Sequence, residues 1–260
     1  VTRVLSAIVL LPLVVGTIWF LPPIATLVLA EVALLLAFVE YARLVEQLGA
    51  RMSRAICGVG TAATCLAAGS ARGGVEVTLL IAMLAIGVAA VLRGRRGPEA
   101  LRDVGASVLP LLYLGLPLGS LAAVRGLGPG PVLLLMLTVM ISDTAQYYGG
   151  RAFGSRPLAP AISPKKTVEG AFSGLVAGVL AMPLLARWWL PQLPAPSLAL
   201  LGGAIVALGI AGDLFESMLK RSAGVKDASG LIPGHGGMLD RIDSLLFAAP
   251  AYYSFLRYAL

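Results

Sequence analysis

The stretch "VLLLMLTVMISDTAQYY", residues 132–148, runs through eleven mostly apolar residues before it meets Asp143. Roughly 20 predominantly apolar residues are needed to cross a bilayer as a helix, and runs approaching that length recur from one end of the chain to the other. An aspartate near the middle of such a run costs about 2.5–3.5 kcal/mol on insertion scales. The first observation decides the fold class. The second asks what offsets the charge.

Composition agrees with a membrane setting. Hydrophobic residues make up 58% of the 260 and charged residues 13%, against roughly 45–50% and 25% in soluble domains, and the mean hydropathy is +0.90. Polar punctuation divides the chain into nine predicted helices, at about 4–20, 24–46, 54–70, 75–92, 104–123, 131–149, 168–189, 198–221 and 236–258. Helices are expected throughout because backbone facing lipid must satisfy its hydrogen bonds within its own segment. There is no strand-like alternation and no composition shift. The expectation is an all-α polytopic membrane protein, nine transmembrane helices forming one integral membrane domain over residues 1–260. The opening run, 4–23, follows Arg3 and lacks a small-x-small cleavage pattern, so it reads as a retained helix. Cys57 and Cys65, two helical turns apart, read as small packing residues rather than a disulfide framework or a zinc site.

Charge sets the expected orientation. With nine spans, the N-terminus and the even-numbered connections share a side. That side takes Arg3 and the Lys and Arg clusters at 43–54, 93–102, 151–166 and 220–226, while the other takes Arg72, Arg125, Arg187 and Arg257. The positive-inside rule then puts the N-terminus in the cytoplasm and the C-terminus outside. The net charge of +7 comes from these loops, which suit anionic lipid head groups. No aromatic-basic platform accompanies it, so nucleic acid is not an expected partner. Gly170, Gly174 and Gly178 repeat every four residues in the seventh predicted helix, a stripe that admits a close helix neighbour. That neighbour could lie in the same chain or in a second protomer of a homodimer.

Beyond Asp143, further acids follow a pattern. "AGDLFESMLKR" sets Asp213, Glu216 and Lys220 on one face of the eighth predicted helix, and "MLDRIDSLLF" sets Asp240 and Asp243 three apart at the start of the ninth. Glu31, Glu40, Glu46, Glu76, Glu99 and Asp103 are scattered by comparison and read as snorkelling or simply paired. If the eighth and ninth helices form a hairpin, the two acidic faces converge. Five bare acids would cost on the order of 10–15 kcal/mol, so cations must neutralise them. Carboxylates of this kind suit Mg2+, with substrate phosphate completing the shell. Internal pairing with Lys220, Arg221, Lys226 and Arg241 is the competing reading. A surplus of bases, including Lys165, Lys166 and Arg151, favours a metal–polyphosphate complex in which acids hold metal and bases hold phosphate. In the connection "SGLIPGHGG", Gly234, Gly236 and Gly237 allow backbone N–H groups to approach an anion. His235 could contact phosphate, act as a weak acid or only bond the loop. Neither a Walker A run nor G-x-G-x-x-G occurs.

"SMLKRSAGVKDASGLIPGHGGMLDRID", residues 217–243, closely resembles the signature of the phosphatidate cytidylyltransferases (CDP-diacylglycerol synthases), S-x-x-K-R, four residues, K-D, then a loop ending P-x-H-G-G-x-x-D-R-x-D. Ser217, Lys220, Arg221, Lys226, Asp227, His235, Gly236, Gly237, Asp240, Arg241 and Asp243 fall on it. "SDTAQYYGGRAFGSRPLAPAISPKKTVEG" resembles a second stretch of that family, with departures at Ala145, Gln146 and Val168. The strong resemblance spans about 140–250, the expected catalytic region. It implies transfer of CMP from CTP to phosphatidic acid, dependent on Mg2+ with or without a second cation, in the inner membrane of a bacterium with the site at the cytoplasmic face. On that basis Asp213 and Asp240 are the expected principal metal ligands, with Asp143, Glu216 and Asp243 in support. Lys165, Lys166, Lys220, Arg221, Lys226 and Arg241 are expected to hold phosphate. A CTP-dependent polyprenol or dolichol-type kinase is an alternative enzyme reading. A cation-coupled transporter is an alternative of another class.

Overall fold

The computed structural model describes residues 2–70, 73–231 and 236–260. Among them nine helices follow one another: α1 (Thr2–Phe20), α2 (Pro23–Gln47), α3 (Arg54–Gly69), α4 (Val75–Arg93), α5 (Pro98–Leu127), α6 (Pro129–Phe153), α7 (Val168–Ala186), α8 (Ala195–Ser222) and α9 (Leu239–Ala259). Five of these, α2, α4, α5, α7 and α8, are long and apolar enough to cross a membrane. Prolines at or just before the first helical position open α2, α5, α6 and α8, where the missing N–H costs no intrahelical bond.

The fifth helix begins six residues before the predicted start. Arg102 and Asp103 look like loop punctuation in sequence, but Asp103 is buried. Its carboxylate accepts from the Arg51 amide at 2.8 Å and from Arg95 Nη1 at 2.8 Å, so the charge is met by the neighbouring connection rather than by water. α5 is also not uniform. It widens into a π turn over Leu111–Gly115 before resuming, a local irregularity often found beside functional sites.

The expectation of helices alone needs one correction. Residues Pro157–Ala159 (β1) and Ser163–Thr167 (β2) form an antiparallel pair, with Pro157 opposite Thr167 and Ala159 opposite Ser163. Prolines at 157, 160 and 164 block helix propagation across the stretch, and a short hairpin satisfies part of its backbone instead.

Two apolar clusters hold the bundle. One gathers α2, α3, α4, α5 and the start of α9 around Leu34, Tyr41, Leu114 and Leu239. The other gathers the end of α5 with α1, α6, α7, α8 and the rest of α9 around Leu134, Met182, Ile205 and Tyr252. α9 belongs to both, so its position couples them. Cys57 and Cys65 are buried and unpaired, in keeping with a packing role. The glycine stripe of α7 finds its neighbours within the chain. A Cβ on Gly170 would lie 2.8 Å from the Gln146 carbonyl of α6, and one on Gly178 would lie 3.2 Å from the Gly202 carbonyl of α8. The stripe is accounted for without a second protomer.

Candidate active site

The connection between α6 and α7 is tied down at both ends. Thr167 caps α7, its Oγ1 accepting from the Gly170 amide at 3.1 Å, one of the bonds a helix start otherwise lacks. The Glu169 carboxylate reaches back to accept from Ser155 N at 3.1 Å, Ser155 Oγ at 2.8 Å and Arg156 Nε at 3.2 Å. The run S-P-K-K-T-x-E-G therefore has two jobs: Thr167 and Glu169 fix the hairpin, and the fixed hairpin presents Lys165 and Lys166.

These lysines face a cavity of about 650 Å³ bounded by α6, the hairpin, α7, α8 and α9, within the usual range for ligand pockets. Asp143 from α6, Asp213 from α8 and Asp240 and Asp243 from α9 line it, and Arg151 joins the two lysines among the bases. Lys166 ion-pairs with Asp213. Asp213 Oδ1 also accepts from Ser217 Oγ at 3.4 Å, and Asp143 accepts from Gln146 Nε2 at 3.0 Å. The charge of Asp213 bears on both Asp143 and Asp243, and Lys166 opposes it at both. Close approach of α8 and α9 depends on Gly212: a Cβ there would lie 2.6 Å from the Asp243 carbonyl oxygen. The bare backbone next to Asp213 is what brings the two acidic faces together.

Other predicted residues lie behind or beside this cavity. Lys220 is buried and bridges Glu216 and Asp240, the latter at 2.5 Å. The second oxygen of Asp240 accepts from the amides of Ala228 at 3.0 Å and Gly237 at 2.8 Å. Asp240 therefore reaches the cavity with both oxygens already engaged, and the Gly237 N–H meets a carboxylate of its own chain. Gly236 adopts a left-handed φ of 77° just before it, a conformation glycine takes without strain. Arg221 donates to the Ile162 carbonyl at 3.4 Å and the Val225 carbonyl at 3.2 Å, lashing the end of α8 to the hairpin. Lys226 is exposed in the connection, and Arg241 is exposed on the first turn of α9. His235 and Gly234 lie outside the described residues.

Three residues escaped the sequence reading. Gln146 looked like a departure from a pattern, yet it orients Asp143. Tyr113, on the π turn of α5, packs edge-on against Phe215 with ring centroids 5.0 Å apart. Its buried hydroxyl has no hydrogen-bond partner among the described residues, and it feels the charges of Glu216, Asp243 and Asp213. Glu40 of α2, grouped with the scattered acids, is 2% exposed. It bonds to the chain that enters α9.

A family model described as "Cytidylyltransferase family" matches residues 1–259. Among curated proteins, a phosphatidate cytidylyltransferase of Pseudomonas aeruginosa is 44% identical over 50% of this chain and 48% of its own length. One from Aquifex aeolicus is 40% identical over 56% of this chain and 55% of its own. Phosphatidate cytidylyltransferase 4, chloroplastic, of Arabidopsis thaliana is 37% identical over 71% of this chain and 54% of its own. The chain thus spans about half the length of the curated relatives it matches. With the family model covering nearly every residue, from the first helix through the acidic faces of α8 and α9, the chain belongs to the cytidylyltransferase family.

Proposed function

We propose that this chain is an integral membrane phosphatidate cytidylyltransferase, which joins CTP and phosphatidic acid to give CDP-diacylglycerol and pyrophosphate. The observation that carries the reading is a shared cavity in which acids from α6, α8 and α9 face Arg151, Lys165 and Lys166. Family membership and the names of the relatives support it. An ionised oxygen of the lipid phosphate attacks the α-phosphorus of CTP. A new P–O bond forms there, the bond from Pα to the bridging oxygen of the β-phosphate breaks, and pyrophosphate leaves with the electron pair. The nucleophile is already charged near neutral pH, so no protein base is required. The chain's part is to position two polyanions and offset their repulsion. Lys165, Lys166 and Arg151 receive phosphate oxygens, and Lys166 exchanges its contact with Asp213 for one with substrate.

A divalent cation fits this donor set. Among the described residues no three acidic, Cys or His side chains converge closely enough to hold a metal alone. Mg2+, however, ordinarily takes one or two carboxylates and completes its octahedron with water and substrate phosphate. Asp213 and Asp143 or Asp243 supply those carboxylates. Asp240 can join only by giving up Lys220 or a backbone N–H. When bound, the ion neutralises charge on the triphosphate and steadies the leaving pyrophosphate. The site opens to the cytoplasmic face of a bacterial inner membrane, with nine helices spanning, the N-terminus inside and the C-terminus outside. With nine spans, the charge distribution of the connections supports this orientation, and the bacterial relatives support the setting.

The test is purified protein incubated with phosphatidate, Mg2+ and CTP labelled at either the α- or the γ-phosphate. Label from the α position in lipid supports the reading. Lipid labelled only from the γ position indicates a CTP-dependent lipid kinase, and no labelled lipid returns the transporter to consideration.

A further inference from the structure

We propose that Glu40 of α2 is a positioning residue for this reaction: it holds the first turn of α9 in the register that keeps Asp240 and Asp243 at the cavity. The inference rests on the cytidylyl-transfer reading and deepens it. Glu40 is not among the residues lining the cavity. Its Oε1 accepts from Ser229 Oγ at 2.5 Å and from the Met238 amide at 3.0 Å, and its Oε2 accepts from the Leu239 amide at 2.8 Å.

These bonds interlock with those of Asp240. Asp240 takes the amides of Ala228 and Gly237, and Glu40 takes Ser229, Met238 and Leu239. Two carboxylates, one from α2 and one from α9, thus secure both the departure from α8 and the entry to α9. The first amides of a helix have no partner within it, and Leu239 is fully buried. Removing Glu40 would therefore leave these donors unmet where water cannot readily replace it. A negative charge also belongs at this end of a helix. Gly237 reports how tight the fit is. A Cβ there would lie 2.6 Å from each oxygen of Glu40, so a side chain would expel the carboxylate. Asp240 follows Leu239 directly and Asp243 lies one turn on. Fraying of this turn moves both acids while leaving Asp213, Lys165 and Lys166 in place.

A residue of this kind changes alignment at the reacting centre more than substrate capture. Groups that orient a ligand set from outside it typically matter by about 10–100-fold. The test is Glu40→Gln and Glu40→Ala in the full chain in detergent, with kcat and KM for CTP expressed per folded molecule. Amide hydrogen exchange is followed over residues 236–243. Expected are a kcat lowered about 10–100-fold, a KM for CTP within about twofold of wild type, and faster exchange confined to that segment. Unchanged kcat, or unchanged exchange there, overturns the proposal. A uniform rise in exchange with normal kcat per folded molecule also overturns it, by making Glu40 a general stabiliser. If the wild-type chain transfers nothing, the function reading fails alone, because local exchange still decides whether Glu40 holds α9.

Discussion

Replacing Lys220 with Met keeps the volume of the side chain's stem and deletes its charge. Two carboxylates then lose their counter-ion together: Glu216, whose side chain is wholly buried, and Asp240, whose side chain is 9% exposed. Removing one partner of a buried ion pair costs about 3–5 kcal/mol, because the remaining charge has neither solvent nor partner. Asp240 keeps its bonds from Ala228 and Gly237, so most of the loss falls on Glu216. For a chain of this size the cost corresponds to a fall of roughly 6–20 °C in the unfolding midpoint. Fluorescence of the three Trp residues during heating of the purified protein reads it. The double variant Glu216→Gln with Lys220→Met removes the stranded charge and is expected to recover at least half of the loss. A Lys220→Met midpoint within about 2 °C of wild type, under 1 kcal/mol on this scale, refutes the reasoning. So does a double variant less stable than the single.

Three further outcomes follow from the same geometry. Gly212→Ala places a methyl against the Asp243 carbonyl and overpacks the α8–α9 contact at about 1–3 kcal/mol. Cytidylyl transfer should fall more than stability does, and full transfer at wild-type rate would show that the spacing of the two helices is not critical. Lys166→Ala removes a partly exposed pair with Asp213 whose worth to stability is below about 1 kcal/mol. The unfolding midpoint should hardly move, KM for CTP should rise about tenfold as a phosphate contact is lost, and an unchanged KM removes Lys166 from the phosphate site. A reporter fused after Leu260 should be active only outside the cytoplasm. Cytoplasmic activity would reverse the orientation drawn from the charged connections.

The helices were legible in sequence because the bilayer demands long apolar runs, and such runs need no tertiary context to be seen. Their ends were harder. Asp103 was read as snorkelling or simply paired, and it does pair with Arg95, but its second partner is an amide on a connection fifty residues away, and no local pattern announces such a bond. The hairpin was hidden for a related reason. Its prolines argue against helix, but three- and five-residue strands are too short for alternation to show. The acids of α8 and α9 were visible as helical faces at spacings of three, and four of the five predicted acids meet at one cavity. Sequence could not separate Glu216 and Lys220, which lie buried on the bridge between α8 and α9, from Asp213, which faces the cavity from the same helix. That distinction depends on which way each side chain turns once α9 has docked. Glu40 was the least legible. A single acid in an apolar helix carries no sign of the loop it binds, and its partners lie in a different half of the chain.

The proposed transfer depends on Asp213 and its neighbours holding a divalent ion together with the triphosphate of CTP. Mn2+ electron paramagnetic resonance on wild type and Asp213→Asn, without and with a non-transferable CTP analogue, reads that ion. Wild type should bind Mn2+ and bind it more tightly when the analogue is added, and Asp213→Asn should lose that bound signal with the fold intact. Equal Mn2+ binding by the two proteins, with or without the analogue, would contradict it.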